Sequence, residues 1–207
     1  MIKNDEIMLG GSRALAWNWF SLVDRVVADI LAAGFNVSVG CAAGADLWSL
    51  KAALIRNPYR VRLSCVGDRN GAGFWSGSAP LAALHQADDL GASVSWGVGG
   101  PGSLPFRARL MRRSMAALDG CSAAVFFLAS KASTGSLAVA AQAVEDRIPV
   151  FAYTCGFDAP LAPSRSCYGE WIRSPFFGSE AWLWRPMQRA LLQAPIRFYS
   201  FDPRGGQ

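Results

Sequence analysis

Histidine is all but missing from this chain: His85 is the only one in 207 residues. A Ser/His triad and a histidine metal centre are therefore set aside, and His85, beside Gln86 and Asp88 in an expected surface helix, is read as solvated. Cysteine is present but not organised. Cys41, Cys65, Cys121, Cys155 and Cys167 are odd in number, widely spaced and free of any CxxC pair. That argues against a disulfide framework or zinc site and for buried thiols. Long hydrophobic runs are absent too, since pure apolar stretches such as residues 123–129 are strand-length, far short of the ~20 residues of a spanning helix. The start, with Lys3, Asp5 and Glu6 before a short apolar run, lacks the hydrophobic core of a signal peptide. No membrane partner and a cytoplasmic location are the expectations. No charge of one sign dominates: the net charge of +5 admits polyanions as partners without demanding them.

What is present is a full core's worth of apolar residues, 52% of the chain, in a length that suits one domain with an appendage. Short apolar runs at residues 7–9, 35–39, 61–66, 92–96, 123–129 and 149–153 alternate with helical patterns at 17–33, 46–55, 80–90, 106–118 and 136–146. This βα alternation predicts a Rossmann-like parallel sheet covered by helices on both faces, with every βα loop on one edge. The domain is expected over residues 1–154. Residues 155–207 turn to proline, glycine and aromatics and read as an irregular extension packed on it, with a helix allowed over 180–193 although Pro186 interrupts it. There is no internal repeat.

In such a sheet anions bind where strands end and helices begin, because free N–H groups and the helix dipole both point there. Four segments arrive at that edge. Gly10-Gly11-Ser12-Arg13 follows the first strand, where its glycines permit a tight turn and close approach to a phosphate. The turn from Gly40 through Gly44 to Asp46 repeats the theme, and Asp46 either caps its helix, the commoner use, or accepts hydrogen bonds from a ligand hydroxyl. In the helix at 106–118, steps of 100° put Leu110, Met111, Ser114, Met115, Ala117 and Leu118 on one arc with Arg107 at its centre. An arginine so placed needs an anionic partner, either a ligand phosphate or an acid such as Asp46. Arg109, Arg112 and Arg113 fall opposite, as a solvated face or a nucleic-acid-facing patch. The fourth segment, Ser133-Thr134-Gly135-Ser136, is a phosphate cradle by chemistry and an N-cap by default. Phe74, Trp75 and the tail tryptophans either stack bases or pack, packing being favoured, and burial is the expectation for Trp17, Trp19 and Trp48.

At these residues the chain resembles the SLOG superfamily, which joins DprA (Smf) proteins with the LOG phosphoribohydrolases. The resemblance spans roughly residues 7–153. Gly11-Ser12-Arg13 is similar to the first-strand motif of the small members and Gly40 to Asp46 to their G-x-A-x-G-x-D turn. Phe106-Arg107-Ala108-Arg109 resembles the F-P-x-R-N-R stretch of DprA, and Arg107 to Met111 has the spacing of the LOG R-K-x-x-M. Thr134-Gly135-Ser136-Leu137 resembles the DprA S-G-S-L segment. The LOG motif G-G-x-G-T-x-x-E supplies a glutamate for base release, whereas the corresponding stretch here, Gly135 to Val139, has no acid. Ala108 replaces the asparagine of R-N-R, and the tail shows no winged-helix pattern.

The resemblance thus implies, first, a non-enzymatic site for a nucleotide or nucleotide-derived ligand, bound by Gly11, Ser12, Arg13, Gly40, Gly44, Asp46, Arg107, Thr134, Gly135 and Ser136. Second comes DprA-like binding of single-stranded DNA, assisted by Arg109, Arg112 and Arg113. A phosphoribohydrolase ranks last. No cofactor and no metal are expected, and a second copy of the chain is admitted as a partner.

Overall fold

The computed structural model describes residues 5–164 and 166–187. Six strands, β1 (Glu6–Gly11), β2 (Asn36–Gly40), β3 (Val61–Ser64), β4 (Ser93–Ser95), β5 (Ala123–Leu128) and β6 (Val150–Thr154), lie in the order β4-β3-β2-β1-β5-β6. All of their pairings are parallel. The order reverses between β1 and β5, so the helices that follow these two strands go to opposite faces of the sheet, a switch point of the kind that holds ligands in open α/β sheets. β5 is buried at all six positions, as a central strand covered on both faces must be.

Strand alternation divides the core. Ile7 and Leu9 point into a layer with helices α1 (Phe20–Ala32), α2 (Ala45–Arg56) and α3 (Leu81–Asp89), while Met8 points to the layer of α4 (Phe106–Leu118) and α5 (Thr134–Glu145). The buried face of α1, Val23, Val26, Val27, Ile30 and Leu31, follows the i, i+3, i+4, i+7 spacing of an amphipathic helix. Gly34, with φ +91°, stops it. A short 3-10 turn at Trp17–Trp19 precedes α1 in place of the helix predicted there.

The rotation of α4 about its axis is fixed by polar anchors at its C-terminal end. Ser38 donates to the carbonyl of Ala117 at 2.7 Å, and Arg62, paired with Glu6, donates to those of Ala116 (2.6 Å) and Asp119 (2.7 Å). These bonds take up carbonyls left open by the end of the helix.

Residues 155–168 are irregular, but the segment beyond is not. β7 (Gly169–Phe176) and β8 (Ser179–Pro186) form an antiparallel hairpin, and β8 pairs antiparallel with β6, extending the sheet to eight strands among the described residues. Its two-residue turn has positive φ at both positions, Phe177 (44°) and Gly178 (77°), the geometry that matches strand twist in tight hairpins. Residues 180–186 are thus strand rather than helix: pairing with β6 and β7, with Ala181 buried in one layer and Trp184 in the other, overrides their helical composition. The remainder of the helix expected to 193 lies outside the described residues.

Candidate functional site

Ser12 joins three loops. Its N–H donates to the Phe127 carbonyl at 2.8 Å, and its carbonyl accepts the N–H groups of Leu15 (3.2 Å) and Ala45 (3.1 Å). Its hydroxyl accepts the Ala129 N–H at 2.9 Å and lies 2.5 Å from the Ser133 hydroxyl. Ser133 gives its own proton to the Ser130 carbonyl, 2.9 Å away, so Ser12 is the donor between the two. The loops after β1, β2 and β5 therefore meet at one buried residue.

Two glycines make that approach feasible. At Gly11 a Cβ would overlap the Phe127 carbonyl, and at Gly44, where φ is +70°, it would overlap the carbonyls of Ser12 and Arg13. Ser12, singled out in the sequence as a phosphate ligand, is 8% exposed with its proton committed inside the protein, so it acts as the joint.

Beside it, the turn at 40–46 closes on an ion pair. Asp46 is buried and accepts the Ala42 N–H at 3.2 Å and Arg113 Nη1–H at 2.7 Å. Burial pushes the Asp46 carboxyl above the ordinary carboxylate range, against the pull of Arg113 and the Ala42 N–H. Gly40 admits this pair, since any side chain there would overlap the guanidinium. Cys41 sits on the same cluster, its thiol pushed down by the Cys65 thiol and by Arg113 against the opposing effect of burial. Asp46 is therefore neither an N-cap nor an open ligand contact.

The arginines of α4 do not divide as the helical wheel predicts. Arg107 is exposed rather than buried, and Arg113, placed by the wheel on a solvated face, is 7% exposed. The inward arc runs through Arg113, Ser114, Ala117 and Leu118, because the anchors at Ala116 and Ala117 turn the helix that way and Asp46 neutralises the buried charge. Arg109 is half-buried and donates to the Val66 carbonyl at 3.2 Å, against Gly73, where a Cβ would collide with its guanidinium. Arg112 is exposed next to Gly100. Arg109, Arg112 and Arg113 thus form no common face.

The exposed candidates run along the outside of the same edge, from the start of α5 to the first turn of α4. Arg13 is exposed, and a Cβ added at Gly77 would stand 3.3 Å from its Nη1 and 2.5 Å from the indole nitrogen of Trp75. Trp75 packs against Phe106 (centroids 5.1 Å apart, planes at 63°), and Phe106, 39% exposed, adjoins Arg107. The loop that carries Trp75 is stitched to the β2 turn by Ala43 N–H to Gly77 O and Ala79 N–H to Cys41 O, both 2.9 Å. On the other side of Ser12, Thr134 and Gly135 are exposed at the start of α5, no side chain caps that helix, and the Cβ direction of Gly135 opens onto free space. Sequence reasoning had Trp75 only as an aromatic loop residue and did not single out Gly77; a Gly/Ser loop after β3 was the available signal.

No family model matches the chain, and no curated protein does. Among solved structures, that of DNA processing protein A (DprA) from Streptococcus pneumoniae aligns with TM-score 0.56 and 22% identity over 74% of this chain and 51% of that one. The fold is similar to that of DprA. At this identity the likeness concerns the fold alone, and the chain spans about half the length of that neighbour. In the DprA-like fold described here the switch point between β1 and β5 is where Ser12, Arg13 and the start of α5 stand. Among the described residues no His/Cys/Asp/Glu cluster could hold a metal ion, and no helix is long and apolar enough to cross a membrane.

Proposed function

We propose that the carboxyl edge of the sheet, from the start of α5 across Arg13 to Arg107, binds single-stranded nucleic acid without turning it over chemically. The supporting observation is the continuous sequence of groups on the exposed half: the uncapped turn at Thr134 and Gly135, then Arg13, Trp75, Phe106 and Arg107. Two cations with partly exposed rings between them suit a backbone of phosphates whose bases stack in passing. The DNA-processing description of the solved neighbour favours the same direction. A free nucleotide held by its phosphate is the second reading, favoured by the start of α5, which no side chain caps. Neither reading calls for catalysis, since the stretch from Gly135 to Val139 carries no acid.

The test is a fluorescence-anisotropy titration with a labelled oligo-dT across a salt series. Affinity is expected to fall steeply with salt, and Arg13→Ala and Arg107→Ala each to lower the slope by about 1. Absence of binding at low salt overturns the proposal. Native mass spectrometry showing a mononucleotide and no oligonucleotide on the purified protein would transfer it to the second reading.

A further inference from the structure

Outside the groups already used, the exposed aromatic that stands nearest in sequence to the site is Trp17, four residues beyond Arg13 in the connection from β1 to α1. It is 63% exposed, where the sequence predicted burial. Its surroundings are built rather than loose. The indole lies flat on Phe20 (centroids 4.6 Å, planes 7° apart), and Trp48 meets it edge-on at 4.9 Å and 73°. Trp48 in turn donates its indole N–H to the Leu15 carbonyl at 3.3 Å, tying the ring cluster to the loop that carries Ser12 and Arg13. The charge on the cluster is positive, since Lys51 Nζ sits 5.2 Å from the Trp48 ring centroid.

We propose that Trp17 is a stacking platform for a base of the strand bound at the sheet edge. This rests on the nucleic-acid reading above. A ring that is fixed from below and open above, in a cluster that also holds a lysine, has the properties of a base-stacking surface: it gains contact with any base and loses little motion on binding. Trp17 can be no more than about 14 Å from Arg13 along the chain. That span falls within a strand covering the roughly 4 to 16 nucleotides usual for such sites. The ligand would then be held through its bases as well as its phosphates, which distinguishes a nucleic acid from a generic polyanion.

The experiment compares oligo-dT with an abasic oligomer of equal length and charge, on the full chain and on Trp17→Ala and Trp17→Phe, with tryptophan fluorescence and anisotropy as readouts. The expected result is that the wild type binds both, oligo-dT more tightly. Trp17→Ala should weaken oligo-dT by roughly 5- to 150-fold while leaving the abasic oligomer within about twofold, and Trp17→Phe should recover most of the loss. Equal loss for both ligands, or none for either, overturns the platform while leaving the edge reading in place. No binding of either ligand by the wild type defeats the edge reading and the platform with it. Unchanged DNA affinity together with loss of a dimer in sedimentation would assign this face to a second copy of the chain and overturn the proposal.

Discussion

The two halves of the carboxyl edge use the same residue type in opposite ways. On the side of β2 and β3, Arg113 is sealed against Asp46 and Gly40, and Arg109 is pressed between Val66 and Gly73. Elsewhere on the edge, Arg13, just after β1, stands exposed near the uncapped start of α5, and Arg107 is exposed in the first turn of α4, the helix that also carries Arg109 and Arg113. The difference is set by partners and not by spacing. Arg113 is held by an acid and Arg109 by a backbone carbonyl, and an arginine with neither stays available to a ligand.

The largest effect is expected where the sealed half is opened. Arg113→Ala leaves the Asp46 carboxylate buried and unpaired and should remove about 3–5 kcal/mol of stability by denaturant unfolding. A double variant, Arg113→Met with Asp46→Leu, should recover much of that loss. If Arg113→Ala proves neutral, the two halves are not different in kind. Gly40→Ala comes next: its methyl would overlap the guanidinium, and the ion pair must shift, for a loss of about 1–3 kcal/mol.

A pH effect of the same pair should be smaller and opposite in sign to the usual carboxylate. Because burial holds the Asp46 carboxyl above its unfolded value, the folded state binds the extra proton. This contribution is therefore fully present below the ordinary carboxylate value and is lost as pH rises through the folded one. The difference in stability between the wild type and Asp46→Asn, followed from about pH 4 upward, should shrink or reverse in that direction. The smallest stability change belongs to the open half. Arg107→Ala and Arg13→Ala should each stay within about 0.5 kcal/mol of the wild type in unfolding, with the affinity loss for oligo-dT as their only signature. A large stability loss at Arg107 would erase the contrast.

Much of the frame was legible in the sequence. The six parallel strands follow from short apolar runs separated by helical periods, and the meeting of the loops after β1, β2 and β5 follows from that alternation. The orientation of α4 was not legible, because a helical wheel counts apolar residues and sends cations to water. Arg113 is buried by an acid 67 positions away in sequence, and no local pattern carries that information. Ser12 was found by motif, but its role as a joint depends on the Ser133 hydroxyl, which only the folded chain brings near. The hairpin was hidden by its composition, since Trp171, Trp182 and Trp184 lie in a setting of glycine and proline that reads as loop. Trp17 was misplaced for a simpler reason: the turn at Trp17–Trp19 precedes the amphipathic helix instead of opening it.

The hairpin also bears on how the chain behaves in concentrated solution. Without β7 and β8 the sheet would end at β6, an apolar strand buried at four of its five positions, whose unpaired backbone would invite other chains to add to it. With them, the margin among the described residues shifts to β7, where Pro175 lacks a donor and Glu170 and Arg173 are exposed. Such a border discourages intermolecular β-pairing. A chain truncated before residue 169 should therefore be prone to self-association, so the hairpin contributes to colloidal solubility as well as to the sheet.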